Sequence, residues 1–132
     1  MVLTMHSPTE PIADRRPLTQ PERELTRWML EHRGPAAAAF LPQVDGASVV
    51  SRCPCGCASV DFEVAGFPPP TGGLHILGDY LFGGEEDPSG AFVFERAGVL
   101  AGIEVYGLAG EAPSTLPRPD SLRPFHNARA GG

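Results

Sequence analysis

Apolar and polar side chains alternate most clearly across residues 47–64, where A-S-V-V-S-R and A-S-V-D-F-E-V flank the turn-forming C-P-C-G-C. Period-two runs rich in β-branched residues on either side of a Pro/Gly turn predict a β-hairpin. With Pro54-Cys55-Gly56 as the loop, Cys53 and Cys57 oppose one another and share a face with Ser51, Ser59, Asp61 and Glu63. The other, core-facing side then carries Val50, Ala58, Val60, Phe62 and Val64. A second hairpin is predicted from residues 91–95 and 99–106, turning through Arg96-Ala97-Gly98. Residues 74–82 mix helical and strand periods; the short run of Ile and aromatics between double glycines reads as a strand.

Before the hairpins the period changes. Leu25, Trp28, Met29 and His32 recur at helical spacing, Thr19 is the predicted N-cap, Pro21 suits the first turn, and Gly34 ends the helix. Pro35 opens a second short helix over residues 36–41, docked through Phe40, Leu41 and Val44, before the Asp45-Gly46 turn. The fold class that follows is α+β, with two N-terminal helices packed on one face of an antiparallel, meander-like sheet of about five strands. The predicted core comprises Leu25, Trp28, Met29, Phe40, Val60, Phe62, Phe92, Phe94, Ile103 and Val105.

Residues 1–17, His6 among them, are polar and broken by prolines and read as a disordered tail, and residues 126–132 as a frayed end. One domain is expected over residues 18–125, with Leu116, Leu122 and Phe125 docking on the sheet as the proline-broken end passes it. Gly66 to Gly73 contains P-P-P and reads as a stiff connection. Glu85, Glu86 and Asp87 lack the ligand spacing of a calcium loop and read as a solvated turn.

Composition narrows the function. The chain of 132 residues has a formal charge of −6, which opposes nucleic acid and anionic membrane surfaces as partners. No apolar run approaches the ~20 residues that span a bilayer, and the N-terminal stretch lacks the apolar segment of a secretory signal. Every basic residue is arginine, a composition that suggests a GC-rich bacterial genome, and an odd count of three cysteines suggests the reducing cytoplasm.

All three cysteines lie at the hairpin tip. Reduced thiols that pack or cap the turn are the simplest reading of Cys53, Cys55 and Cys57. The alternative is a metal site, zinc or copper, in which the three thiolates take His75 or an acid as a fourth ligand. C-x-C-x-C departs from paired zinc knuckles and has spacing closer to that of copper(I) thiolate proteins. A third reading is a thiol-based redox protein, through a Cys53–Cys57 disulfide or a Cys55/His75 nucleophile. Asp79 is the nearest orienter for His75, and Asp61, Glu63 and Glu104 form a carboxylate patch if their strands adjoin, but no catalytic set converges.

The run C-x-C-G-C-x-S-V-D-F, then G-V-L-A-G-I-E-V-Y and L-P-R-P-D-S-L-R-P-F, resembles small bacterial proteins of no established activity over roughly residues 26–125. That resemblance implies the order of helices before an antiparallel sheet and no catalytic residue. The expectation is therefore a non-enzymatic binding or protein-interaction domain with a protein partner still to be identified. It would act as a homodimer through an exposed sheet edge, with the metal-binding and redox readings as alternatives.

Overall fold

The structure, a computed structural model, describes residues 10–124. Seven strands form one antiparallel sheet, β1 (Ile12–Pro17), β2 (Ala47–Arg52), β3 (Val60–Val64), β4 (His75–Gly83), β5 (Pro88–Arg96), β6 (Val99–Gly107) and β7 (Arg123–Pro124). Their order is β1-β2-β3-β6-β5-β4-β7, so the α+β antiparallel class holds while the meander of about five strands does not. After β3 the chain passes over β6 and β5 to start β4, then returns through two hairpins. The glycine- and proline-rich connection makes this crossing. Pro69 and Pro70 lie with Asp61, Glu63 and Arg96 around one cavity, and the Arg96 guanidinium donates to the Gly72 carbonyl at 2.7 Å.

Helices α1 (Gln20–Glu31), α2 (Pro35–Ala38) and α3 (Leu41–Val44) lie between β1 and β2, not ahead of every strand. The single second helix expected over 36–41 is instead two one-turn pieces, split around Ala39-Phe40, with Pro42 in the first turn of α3. The N-terminus of α1 follows the sequence. Thr19 Oγ1 accepts from the Glu22 amide at 3.2 Å, and the Glu22 carboxylate accepts from the Thr19 amide at 2.8 Å, a complete capping box. Pairing with β2 explains why the stretch read as a tail is ordered from Ile12, and Arg16 then clamps it to α1. The guanidinium donates through both Nη atoms to the Glu22 carboxylate, at 2.9 and 3.0 Å. His6, Phe125 and the end expected to fray, residues 126–132, lie outside the described residues, as does the part of the tail before residue 10.

One face of the sheet packs on the helices. Val49, Phe62, Val60, Ile103, Val105, Val93, Ala91, Tyr80 and Phe82 meet Leu25, Met29 and Leu30 there. Gly78 lies directly under α1: a Cβ at this position would stand 3.2 Å from the Met29 carbonyl and 3.0 Å from the Arg33 side chain. Trp28 and Phe40, expected in the core, are only partly buried against its edge, as are Leu116 and Leu122. His32 is exposed at the C-cap and stacks on Trp28 with ring centroids 4.0 Å apart. Phe92 and Phe94 do share a face, but it is the face away from the helices, because the intervening Val93 takes the core side. Phe94 is nevertheless 2% exposed, packed across from Gly102, where any Cβ would meet its ring at 2.8 Å. Val50, read as a core residue, is half-buried: it is the extra residue of a bulge between the pairs Val49↔Phe62 and Ser51↔Asp61.

Strands β5 and β6 turn through Ala97 and Gly98, both at positive φ (53° and 85°), in the two-residue form that suits the twist of a hairpin. Gln43 of α3 secures the base of this turn, donating to the Gly98 carbonyl at 3.0 Å and accepting from the Leu100 amide at 2.7 Å. Among the described residues, no helix is long and apolar enough to cross a membrane.

Two outcomes test this account. Ala97 bears a Cβ in left-handed backbone, so Ala97→Gly should raise stability by about 1 kcal/mol in chemical denaturation. Burial pushes the Glu22 carboxyl up, but the Arg16 hydrogen bonds, the Thr19 amide and the Arg16 charge outweigh it and hold it below its ordinary value. Its contribution is therefore full above the unfolded carboxyl's pKa and disappears as pH falls through the folded one. The stability gap between the parent and Glu22→Gln should accordingly close on acidification below about pH 5.

Candidate metal centre

The β2–β3 connection is wider than a three-residue loop. The Cys53 amide donates to the Ser59 carbonyl at 3.3 Å, so Ser59 and not Cys57 stands opposite Cys53. Within the connection Cys53-Pro54-Cys55-Gly56 forms a tight turn, closed by the Gly56 amide on the Cys53 carbonyl at 3.3 Å, with Gly56 at φ 89°. Cys57 then folds back along the loop, which the Ala58 amide ties to the Pro113 carbonyl at 3.0 Å. A proline and a glycine inside five residues curl the chain tightly enough that all three sulfur atoms lie within 4.8 Å of one another.

The thiols differ in setting. Cys53 and Cys57 are half-buried and Cys55 is exposed; all three are free. Cys53 Sγ and Cys55 Sγ are 2.8 Å apart, and the Cys57 amide donates to Cys55 Sγ at 3.4 Å. Burial, then the hydrogen bond to Cys55, pushes the Cys53 thiol up to about 12. Hydrogen bonds from Cys53 and Cys57 hold the Cys55 thiol below its ordinary value. An exposed turn sulfur that ionises early, with two further sulfurs beside it, suits capture of a soft cation, since the thiolate is the ligand form.

Ser59 anchors the loop to the sheet. Its hydroxyl accepts from the Val105 amide at 2.8 Å, donates to the Val105 carbonyl at 3.2 Å, and accepts from the Cys57 thiol at 3.3 Å. Beside Cys53 lies a cavity of about 150 Å³ whose walls include Ser59, Asp61 and Glu104. Beside Cys57 a larger cleft of about 420 Å³ runs towards Thr19 and Leu116 and leaves that sulfur approachable.

The other residues singled out by the sequence fall elsewhere. His75 is not near the sulfurs. Val60, Ile103, Val93 and Gly78 lie in one row across the sheet, the cysteine loop beyond one side of that row and His75 beyond the other. His75 Nδ1 pairs instead with Glu95 Oε2 at 2.8 Å, on an exposed surface. This removes both the Cys–His nucleophile and His75 as a fourth ligand. Asp79 accepts from the Tyr106 hydroxyl at 3.0 Å and has no contact with His75. Strands β3 and β6 do adjoin, so Asp61 and Glu104 share one wall, while Glu63 turns to Arg15 at 3.2 Å. Burial, then the Asp61 charge, pushes the Glu104 carboxyl above its ordinary value. Glu85, Glu86 and Asp87 sit on an exposed turn. Among the described residues, Cys53, Cys55 and Cys57 are the one set of cysteine, histidine or acidic side chains found converging on a possible ion position.

In the reduced, metal-free protein, iodoacetamide at neutral pH should alkylate Cys55 first and Cys53 last, as read by peptide mass spectrometry. Equal rates at the three sites would contradict the order of thiol environments described above. Comparison with protein-family models, with curated proteins and with solved structures finds no match to this chain.

Proposed function

We propose that the chain is a non-enzymatic binding domain whose ligand is a thiophilic metal ion held by Cys53, Cys55 and Cys57. The single observation that supports this reading is the convergence of three sulfur atoms within 4.8 Å. Thiols packed only to fill space have no need to converge, and Cys55, the most exposed of them, packs against little. Short local spacing puts all three donors on one side of the ion and leaves the other side for a further ligand. An ion would also disperse the negative charge that three neighbouring thiolates create, which is the electrostatic reason such a cluster favours its loaded form.

Protein purified reduced and without chelators should carry about one zinc or copper ion per chain by elemental analysis, and Cys53→Ser/Cys55→Ser/Cys57→Ser should carry none. Because binding displaces thiol protons, affinity should fall as pH is lowered through neutrality. A chain that stays metal-free and takes up neither zinc nor copper(I) on titration would overturn the proposal. Recovery of the same protein two hydrogens lighter would favour the thiol redox reading; the 2.8 Å approach of the Cys53 and Cys55 sulfurs makes theirs the bond to expect, in place of the Cys53–Cys57 pairing read from the sequence.

A further inference from the structure

The sulfur cluster occupies one side of its ion, and what stands on the other side decides which metal the site prefers. Glu104 lies across the cavity from Cys53, on the middle of β6, with its neighbours Ile103 and Val105 both in the core. It is half-buried, yet among the described residues its carboxylate receives no hydrogen bond and forms no ion pair. The other partly buried acids of the sheet have partners. Asp61 accepts from the Ser51 hydroxyl at 2.7 Å, Asp79 from Tyr106, Glu63 from Arg15 and Glu95 from His75. A partly buried carboxylate without a donor is costly unless a cation compensates it. Cys53 and Glu104 line one small cavity, which Arg52 also borders while it pairs with Asp14 at 3.7 Å, and the other two sulfurs lie within 4.8 Å of the Cys53 sulfur.

Resting on the thiolate-metal reading, we propose that Glu104 is the fourth ligand of the ion held by Cys53, Cys55 and Cys57, and that it makes the site one for zinc and not for copper(I). Three thiolates and one carboxylate complete the tetrahedron that zinc takes, whereas copper(I) is satisfied by the sulfurs alone and gains little from a hard oxygen. Asp61 is the less suitable donor because its carboxylate is already engaged by Ser51. His75, at the far side of the sheet, is out of reach.

The test uses the full reduced chain, stripped of metal, with zinc and copper(I) each titrated against a competing chromophoric chelator. Glu104→Gln keeps the shape of the side chain and removes a poorly solvated charge, so the metal-free variant should fold and melt no lower than its parent. It should bind zinc about 10- to 100-fold more weakly while its copper(I) affinity stays within about twofold. The visible bands of the cobalt(II) derivative should shift as an oxygen donor is lost, a change that a purely structural role would not produce. Unchanged zinc affinity in Glu104→Gln would overturn the role of Glu104 and leave the sulfur site standing. Equal weakening of both metals would overturn the selectivity. A parent chain that binds neither metal would remove the thiolate reading itself, and this inference with it.

Discussion

The close approach of β3 to β6 holds the two halves of the sheet together. Among the described residues these strands share two register positions, Val60↔Ile103 and Asp61↔Gly102. Gly102 makes the approach possible: a side chain there would stand 2.4 Å from the Val60 carbonyl, and its φ of 154° is one that L-residues rarely adopt. On the face away from the helices Phe94 lies over the glycine and restores the apolar cover that the missing side chain would have supplied. Remove this seam and β1-β2-β3 has no contact along the ladder with β6-β5-β4-β7. Beyond Val60, where the ladder stops, the Ser59 hydroxyl takes its place by bonding both the amide and the carbonyl of Val105.

The cysteine loop therefore sits at a mechanically defined place. It begins where β2 ends and is pinned at its far side by Ser59 to the neighbouring strand, with the chain near Pro113 bound along its back. A five-residue run would be too floppy by itself to hold three sulfurs together. Its attachment on three sides is what limits the conformations available to it, and preorganised donors bind more tightly than ones that must be gathered.

Local chemistry made part of this legible beforehand. Thr19, Pro21 and Glu22 announce α1 because a helix start depends on neighbours within one turn. The two hairpins, and the strand at residues 75–83, follow from period two and turn residues. The clustering of the sulfurs was likewise visible in C-P-C-G-C. What escaped is non-local. The order β3-β6 depends on a crossing of the chain that no short window encodes, and with it went the role of Ser59 and the placement of Glu104 on the cysteine side. His75 opens β4 at the end of the sheet where β3 finishes, whereas the cysteines lie where β3 begins, a separation that the strand assignments alone impose. Phe94 is buried as expected and Phe92 only half so, both on the face away from the helices; β5 is covered on both faces, so apolar content does not tell which parity meets the helices. The order of β1 arose from pairing with β2 and from the Arg16 fork, neither of which a polar, proline-broken segment advertises.

The bonding of Ser59 carries one last implication. A hydroxyl has a single proton to give and two lone pairs to fill. Here the proton is committed to the Val105 carbonyl, and both lone pairs are taken, by the Val105 amide and the Cys57 thiol. Those three bonds use the whole capacity of the hydroxyl, so one small side chain ties the Cys57 sulfur, the loop and the neighbouring strand into a single joint, and none of the three can shift without straining the bonds of the others.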